Sequence, residues 1–399
     1  MAKVKVLRNV EINGDNFPLL VETEHTGVTA RTAVHRQRFE QRQGGVRFVR
    51  EGSIEELGHL ARGMTEKCAA SGIKVDGLKC LVSCPDGEPE SLDKKASILA
   101  EHIRAVVGED SGAVFGPDMG CPEAVLSLVA RQRDLFGHLT GLTAEWGGLE
   151  IDNRGYTALG LVCAIGEATR RVRRPLTYSL QGFGAVGAHA AKLISERGGI
   201  VRAVSNKNGV LVAGQGLNVE KLFRLWKEVG DDCLKTYVSE TLTSQIFSDV
   251  PEKIFDVATD VFVPAARTSV LALPEEMTKV RQENPRVQDV TRFYAKVNLT
   301  LVAEGANHPL TEAAESFLER KGVIILPDVL VNCGGMIGCR LEWEHREETM
   351  NNPQQLTALD NKCRAQIEQT IKRNVSKLTR SRCGARKAVR EIISVNLTG

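Results

Sequence analysis

Apolar and polar positions alternate along the first 150 residues in a way that predicts strands interleaved with helices. Apolar residues at positions 54, 57, 60, 61 and 64 form one helical stripe, and Ser53 before them is a plausible N-cap. The helix candidates are residues 54–68, 94–107 and 123–136. The β-prone runs that we expect to be strands are residues 28–31, 45–49 and 78–83. The first part of the chain is therefore expected to be an α/β segment.

Short apolar runs and helical patterns also alternate in the second half, which is typical of a doubly wound parallel sheet. The helix candidates are residues 156–168, 188–195 and 310–320, and residues 354–397 are mostly helical in pattern. The strand candidates are the run that begins at Thr177 and residues 200–205, 261–264, 299–303 and 323–326. Ligands bind at the carboxyl ends of such strands, so Ala265 and Asn307 are candidates for cofactor contact.

A Gly-x-Gly-x-x-Gly motif follows the strand that begins at Thr177. Gly182 would permit a tight turn, Gly184 would let backbone N–H groups approach a pyrophosphate, and Gly187 would let the next helix lie close to the strand. The positive end of that helix would then face the phosphates. The motif predicts dinucleotide binding, although glycine-rich turns of this kind also occur for packing reasons.

The end of the next strand bears on the choice of dinucleotide. An acidic residue at this position would bind the ribose hydroxyls of NAD, but the chain has Ser205-Asn206-Lys207-Asn208-Gly209. Without a carboxylate, and with a lysine beside it, a 2′-phosphate would be repelled less and could be paired. Asn206 and Lys207 therefore favour NADP over NAD, unless Lys207 is merely a turn residue.

Composition narrows the classes of protein that are possible. With 42% hydrophobic and 26% charged residues, the chain is typical of a soluble globular protein. A net charge of +2 gives no reason to expect nucleic acid or a membrane as a partner, and the basic stretch 371–399 is more typical of a solvated face. No cysteine pair has Cys-x-x-Cys spacing, so we expect no metal site and reduced thiols in the cytoplasm. No signal peptide or apolar membrane span is expected.

Lys79 has an unusual setting, because it lies inside the hydrophobic run of residues 78–82. A lysine that is partly buried there would have a lowered pKa and could act as an acid or base near neutral pH. Asp118 lies in a turn, where an aspartate is more often a turn or capping residue. Lys67 lies near the end of a helix, where most lysines are solvated surface charges.

Taken together, these segments resemble the glutamate/leucine/phenylalanine/valine dehydrogenase superfamily, from about Gly44 to Trp343. The motifs come in the family's order and at nearly its spacing. They are Gly-Gly-Val-Arg-Phe at 44–48, Met-Thr-Glu-Lys at 64–67, Pro-Asp-Met-Gly at 117–120, Gln-Gly-Phe-Gly-Ala-Val-Gly at 181–187, Ala-Glu-Gly-Ala-Asn at 303–307 and Pro-Asp-Val-Leu-Val-Asn-Cys-Gly-Gly at 327–335. The resemblance implies reversible, NAD(P)-dependent oxidative deamination of an L-amino acid to a 2-oxo acid and ammonia.

The resemblance also implies roles for individual residues. Lys79 matches the catalytic lysine, Asp118 the catalytic aspartate, and Lys67 the lysine that holds the substrate α-carboxylate. Residues implied in substrate binding are Gln43, Gly44, Gly45 and Cys339. Residues implied in cofactor binding are Thr157, Gln181, Gly182, Phe183, Gly184, Ala185, Val186, Gly187, Ala265, Asn307 and Asn332.

Two departures from the family pattern make glutamate a doubtful substrate. Gln43 stands where glutamate dehydrogenases have a lysine for the side-chain carboxylate, and Cys339 falls near a position where they have a serine. An uncharged amino acid, whether aliphatic, aromatic or specialised, is therefore favoured. In addition, the family's glycine-rich Gly-Gly-x-Lys-Gly-Gly segment is here Asp76-Gly77-Leu78-Lys79-Cys80-Leu81. We expect the added bulk beside the lysine to reshape the pocket.

We predict an α/β protein of two domains. Residues 1–150 would bind substrate and form the oligomer, and residues 151–345 would form a Rossmann-type dinucleotide-binding domain. The resemblance implies that the C-terminal helices, about 346–399, fold back onto the first domain, and that the chain forms a homo-oligomer. Two alternatives stay open: a non-catalytic dinucleotide-binding or regulatory protein, and an oxidoreductase of a specialised biosynthetic pathway with an unusual oxo acid or imine as substrate.

Overall fold

The computed structural model describes residues 3–25, 27–241, 246–381 and 383–398. The chain divides into two compact units. Unit 1 consists of Met1–Arg154, Gly335–Gln366 and Ile393–Gly399, and unit 2 consists of Gly155–Gly334 and Ile367–Ile392. Within the described residues, no helix combines the length and the apolar composition that would let it cross a membrane.

Unit 1 is built on a mixed six-stranded sheet. Its strands are β1 (Lys3–Ile12), β2 (Asp15–His25), β3 (Val28–Val34), β4 (Arg42–Val49), β5 (Asp76–Ser83) and β6 (Ala113–Gly116), in the order β1-β2-β3-β5-β4-β6. Its helices in this part of the chain are α1 (Ile54–Ser71), α2 (Leu92–Glu109), α3 (Glu123–Ala130) and α4 (Ile151–Arg154). Antiparallel pairing joins β1, β2, β3 and β5, whereas β5, β4 and β6 are parallel.

Helix α1 begins where the sequence predicts it. The side chain of Ser53 accepts a hydrogen bond from the backbone N–H of Glu56 at 3.0 Å, and Gly72 ends the helix in the left-handed conformation. Helix α3 ends at Ala130, six residues before the predicted end at Phe136. Residues 131–135 form turns instead, and a short 3₁₀ helix begins at Phe136.

Unit 2 has a seven-stranded sheet of the doubly wound type. Its strands are β7 (Thr177–Gln181), β8 (Ile200–Asn206), β9 (Gly209–Val212), β10 (Ile246–Ser248), β11 (Val261–Pro264), β14 (Leu301–Ala303) and β15 (Ile324–Leu326), in the order β10-β9-β8-β7-β11-β14-β15. The five strands β8, β7, β11, β14 and β15 are parallel. Strands β12 (Leu271–Ala272) and β13 (Gln288–Asp289) form a separate two-stranded sheet.

Helices connect and cover these strands. They are α5 (Tyr156–Ala168), α6 (Ala185–Glu196), α7 (Val219–Val229), α8 (Cys233–Ser239), α9 (Met277–Glu283), α10 (Val290–Lys296), α11 (Glu312–Arg320) and α12 (Asp328–Val331). Helix α6 begins directly at the glycine motif, three residues earlier than predicted. The second glycine-rich stretch, residues 332–339, is mostly helical, because a helix begins at Gly334.

The last three helices contribute residues to both units, which differs from the predicted boundaries. They are α13 (Gly334–Asn351), α14 (Gln355–Arg380) and α15 (Ala385–Thr398). Residues 367–392 group with unit 2, where Ile367 and Ile371 are fully buried and lie over Gly160 on α5. Residues 335–366 group with unit 1, where Glu342 accepts a backbone hydrogen bond from Leu149 at 2.7 Å.

Candidate active site

Lys79 and Asp118 form a buried ion pair in unit 1. Lys79 lies on β5, a strand that is buried along its whole length, and Lys79 itself is only 4% exposed. Asp118 lies in the turn between β6 and α3, and its carboxylate also accepts a hydrogen bond from Arg47 Nε at 3.0 Å. The carboxylate is therefore held between two cationic side chains.

The environment lowers the pKa of both partners. Burial lowers the pKa of Lys79, and the positive charges of Arg47 and Lys67 lower it further, although Asp118 opposes the shift. For Asp118, burial alone would raise the pKa, but Lys79 and Arg47 hold it below its usual range. Asp118 is consequently ionised near neutral pH, and Lys79 releases its proton more readily than a lysine in water.

The glycines at the end of β4 make room for this pair. A Cβ atom at Gly45 would lie 2.9 Å from Cβ of Asp118 and 3.1 Å from Nζ of Lys79. A Cβ atom at Gly44 would collide with the carbonyl oxygen of Leu78 on the neighbouring strand. Because alternate residues of a strand share a face, the buried Gln43 points to the same side of the sheet as Gly45. Gln43, Gly45 and Lys79 therefore share one face.

The apolar residues that flank Lys79 do not crowd it. Leu78 and Cys80 are fully buried in the hydrophobic core on the opposite face of β5, together with Leu99 of α2 and Val125 of α3. Cys80, which stands where the family has a glycine, is therefore turned away from the lysine. Leu81, at the next glycine position of the family, lies on the same face of β5 as Lys79 and is buried in a separate cluster with Ala33 and Leu57. The effect of the added bulk on the pocket therefore stays a prediction.

Cys339 lies close to the segment that leads to Asp118. Its Sγ atom lies 3.6 Å from the position of a Cβ at Gly116, the last residue of β6, and 3.6 Å from that of a Cβ at Gly141. Thr140 Oγ1 donates a hydrogen bond to the carbonyl oxygen of Cys339 at 2.6 Å, which fixes this turn of α13. Unit 1 therefore brings Cys339 to the end of β6.

Acidic side chains surround the thiol of Cys339. Burial raises the pKa of the thiol well above its ordinary value. Three acidic residues raise it further: Glu342, Asp152 and Glu123. Burial also raises the pKa of Glu342 to about 7 and that of Glu123 to about 8. A neutral thiol in an acidic environment is poorly suited to bind a carboxylate.

The glycine motif of unit 2 has the geometry that a dinucleotide requires. Gly182 has a φ of +100°, which strongly favours glycine, and a Cβ there would lie 2.9 Å from the backbone of Ala265. A Cβ at Gly187 would collide with the carbonyl oxygen of Gly182, so only glycine lets α6 approach the turn this closely. Among the described residues, apart from the chain neighbours of Gly184, no atom lies within 4 Å of the position of a Cβ there, which leaves the start of α6 open to a ligand.

Two buried acceptors among the predicted cofactor residues also fit a ligand with hydrogen-bond donors. Within the described part of the chain, Gln181 Oε1 and Asn332 Oδ1 are buried oxygens that accept no hydrogen bond. The amide nitrogen of Asn332 donates to Asn307 Oδ1 at 3.2 Å, which holds the oxygen in a fixed orientation. The amide groups of NAD and NADP are suitable donors for such oxygens.

A groove runs along the glycine motif. The predicted cofactor residues that line it are Gln181, Gly182, Phe183, Gly184, Asn206, Lys207 and Ala265. Those that do not line it are Thr157, Ala185, Val186, Gly187, Asn307 and Asn332. Thr157 lies on α5, where its backbone nitrogen is 3.2 Å from the position of a Cβ at Gly334.

The carboxylate of Asp231 lies at the end of β8, although Asp231 belongs to another part of the chain. Asp231 lies in the turn after α7, and its side chain pairs with Lys207 Nζ at 2.6 Å. Its carbonyl oxygen accepts a hydrogen bond from Asn206 Nδ2 at 2.7 Å. Asn206 and Lys207 are therefore both engaged with Asp231. No local sequence signal could identify this residue, because it follows Asn206 by 25 positions.

These features together define a two-unit α/β protein with a Rossmann-type dinucleotide groove and a buried Lys–Asp pair. Comparison with known proteins identifies the family. The model of the Glutamate/Leucine/Phenylalanine/Valine dehydrogenase family matches residues 147–393, and that of the Glu/Leu/Phe/Val dehydrogenase dimerisation domain matches residues 16–134. The chain belongs to the glutamate/leucine/phenylalanine/valine dehydrogenase family.

Similar proteins include glutamate dehydrogenases. The glutamate dehydrogenase of Aeropyrum pernix is 30% identical over 314 residues, which are 75% of this chain and 68% of that protein. The hetero-hexameric glutamate dehydrogenase of Thermus thermophilus is 21% identical with a TM-score of 0.71, and the match covers 100% of this chain and 90% of that one. The glutamate dehydrogenase of Peptoniphilus asaccharolyticus is 21% identical with a TM-score of 0.66, and the match covers 100% of this chain and 91% of that one. The solved structures support the fold.

Proposed function

We propose that this protein catalyses the NAD(P)-dependent, reversible oxidative deamination of an uncharged L-amino acid to a 2-oxo acid and ammonia. The observation that carries this proposal is the buried pair of Lys79 and Asp118, which combines a lysine of lowered pKa with an ionised carboxylate. Family membership supports the reaction class.

The residues of unit 1 suit this chemistry. The nicotinamide dinucleotide that the groove along Gly182 and Gly184 would hold would supply the acceptor for the hydride of Cα, and the amino acid would be left with an iminium group. Lys79, once deprotonated, accepts a proton from the water that adds to this group, and its ammonium form stabilises the carbinolamine oxygen. Asp118 moves protons to and from the amino group. Lys67 supplies positive charge to the α-carboxylate.

The setting of Cys339 supports the preference for an uncharged side chain. Glutamate would bring a second carboxylate, and binding it requires a cation or several hydrogen-bond donors. The site instead has Gln43, a buried neutral thiol at Cys339, and acidic groups around that thiol. A γ-carboxylate near Cys339 would lose its hydration without gaining a cationic partner from Gln43 or Cys339, whereas an apolar or neutral polar side chain would not incur this cost.

The buried ion pair of Lys79 and Asp118 favours an enzyme over a non-catalytic protein that descends from one. Cys80, the departure from the family pattern next to Lys79, packs into the core on the opposite face of β5. It leaves the pair of Lys79 and Asp118 in place. The match to a dimerisation domain supports a homo-oligomer as the functional form. A cytoplasmic location stays a prediction.

The residues at the end of β8 bear on whether the cofactor is NADP or NAD. The sequence favours NADP, because β8 ends in Asn206 and not in an acidic residue. The ion pair with Asp231 neutralises Lys207, however, so Lys207 alone does not offer an uncompensated charge to a 2′-phosphate. Any preference for NADP must therefore depend on further cations around the groove.

An amination assay tests the proposed reaction. The purified full-length protein is mixed with ammonia, NADPH or NADH and one of several 2-oxo acids, and the nicotinamide absorbance is followed. We expect ammonia-dependent oxidation with a neutral oxo acid, at a kcat/KM at least ~10-fold above that for 2-oxoglutarate. A higher kcat/KM with 2-oxoglutarate would contradict the substrate proposal. Cofactor binding without turnover on any oxo acid would favour the non-catalytic alternative.

A further inference from the structure

A compact excursion of about thirty residues leaves the sheet of unit 2 between β11 and β14, and we call residues 267–296 the excursion. It contains the two-stranded sheet of β12 and β13 and the helices α9 and α10. Ala272, Val280 and Val287 form its own small hydrophobic core, with Met277 packed against them. The excursion is thus a folded element and not an extended loop.

Three residues of the excursion line the groove that runs along the glycine motif: Arg267, Asn284 and Arg286. Asn284 is 3% exposed and fixes the local backbone. Its Nδ2 donates to the carbonyl oxygens of Thr268 and Ser269 at 3.1 and 3.0 Å, and its Oδ1 accepts from the backbone N–H of Arg286 at 3.1 Å. The two arginines are therefore attached to backbone segments that Asn284 holds together.

The two arginines have different positions along the groove. Arg267 comes two residues after Ala265, whose backbone lies against Gly182 of the phosphate-binding turn. Arg286 is near Glu252, with Nε 3.4 Å from the carboxylate, and Glu252 belongs to the 3₁₀ helix Pro251–Asp256, which packs against β8 and β9. Arg267 therefore lies near the glycine turn, and Arg286 lies near the end of β8.

The balance of charge along the groove favours an anionic ligand. Among the described residues that line it, three are cationic and two acidic. Lys207 is paired with Asp231 at 2.6 Å, and Arg286 has a longer contact with Glu252. Arg267 is exposed and forms no ion pair within the described part of the chain. The excursion thus supplies the one cation of the groove that has no acidic partner there, together with a second that is only weakly paired.

We infer that the excursion is a cofactor-recognition element that gives the groove its selectivity for NADP. Arg286 binds the 2′-phosphate at the end of β8, where Lys207 is already paired with Asp231. Arg267 binds the pyrophosphate, which NADP and NAD have in common. The inference rests on the proposed function only in that the groove holds a nicotinamide dinucleotide; it does not depend on which amino acid is the substrate.

The guanidinium group suits both roles. Its planar set of donors binds phosphate oxygens in pairs, and it stays charged at every pH of interest. A 2′-phosphate near Arg286 would also draw this arginine away from Glu252, whose carboxylate is partly exposed and can be solvated. NAD lacks this phosphate, so it gains nothing from Arg286.

Binding measurements on single variants test the inference without reference to turnover. The dissociation constants of NADP and NAD are measured by calorimetry for the full-length protein and for Arg286→Ala, Arg267→Ala and Arg281→Ala. Arg281 is the matched control, because it is an exposed arginine of the same excursion, also without an ion pair in the described residues, that lines a different cavity. All three substitutions remove the same charge.

We expect Arg286→Ala to weaken NADP binding at least tenfold and NAD binding less than twofold, and Arg286→Lys to restore part of the loss. Arg267→Ala should weaken both dinucleotides by a similar factor, and Arg281→Ala should change neither. An unchanged ratio of the two affinities in Arg286→Ala would overturn the inference while leaving the dehydrogenase proposal intact. Failure of the unsubstituted protein to bind either dinucleotide would overturn both.

Discussion

At the scale of single residues, the proposed chemistry depends on how β5 presents Lys79. The strand is buried on both sides, so its alternation decides which side chains enter the core and which face Asp118. Leu78 and Cys80 fill the core, and Lys79 emerges on the face where Gly45 leaves space for it. The lysine is thus desolvated, which lowers its pKa as a base near neutral pH requires, while Asp118 beside it opposes part of that shift.

The pH dependence of deamination follows from these shifts. Lys79 must be neutral to accept a proton, so kcat for deamination should rise with pH. The rise should be half-complete below the ordinary lysine pKa of 10.5, because burial lowers the pKa of Lys79. Asp118 stays ionised throughout, because its pKa is held below the usual range. A pH profile of kcat that is flat or falls from pH ~6 to ~10 would contradict the role of Lys79 as a base.

Sequence alone could single out Lys79 and Asp118 as candidates, because each lies in a short motif whose residues are neighbours in the chain. It could not show that Asp231 lies in the groove, or that Arg47 contacts Asp118. Asp231 reaches Lys207 only after α7 has folded back onto the sheet, and Arg47 meets Asp118 across 71 positions of sequence. Contacts of this length depend on tertiary packing that no local pattern encodes.

At the scale of elements, the docking of α15 depends on a buried charge cluster. Arg386 donates to Glu304, Glu315 and Asp328, each at 2.7 Å, and all three acidic residues are almost fully buried. One cation thus faces three carboxyl groups. Burial raises the pKa of both Glu304 and Glu315, although Arg386 opposes the shift. The cluster joins α15 to the loops that follow β14 and β15, and to α11.

Arg386→Gln should therefore destabilise the protein strongly. The substitution leaves buried carboxyl groups without their cation, which costs about 3–5 kcal/mol in comparable cases. Arg390→Gln on the next turn of α15 is the matched control, because its contact with Glu312 is exposed and worth at most ~1 kcal/mol. Urea denaturation of both variants measures the difference. A loss of stability of similar size in the two variants would contradict the structural role of the cluster.

The pattern of apolar residues predicts the bounds of some elements well and misses others, including the long strands β1 and β2. Helix α5 and strand β11 have the predicted bounds, because their apolar runs are continuous and their ends are marked by turn residues. The apolar pattern does not predict the excursion, because β12 and β13 have only two residues each and depend on pairing with each other. Helix α3 was predicted too long, because the pattern of residues 131–136 fits a turn as well as a helix.

At the scale of the whole molecule, unit 1 contains the predicted catalytic and substrate-binding residues, and unit 2 contains the predicted cofactor-binding residues. Unit 1 brings together Lys79, Asp118 and Gly45, and unit 2 brings together the glycine motif and the turn after β8. The division of α13, α14 and α15 between the units could not be read from sequence, because each helix has a continuous pattern across the boundary. It is determined by buried contacts such as those of Glu342 and Arg386.

The most direct test of the central claim compares turnover and cofactor binding in Lys79→Ala, with Lys74→Ala as the control. Lys74 is exposed and precedes the same strand. We predict that Lys79→Ala lowers kcat by ~10²–10⁴-fold and leaves the dissociation constant of NADP within about twofold of the unsubstituted protein. Lys74→Ala should change neither. A Lys79→Ala variant that keeps its kcat, or that loses turnover and cofactor binding together, would contradict the assignment of Lys79 as the catalytic base.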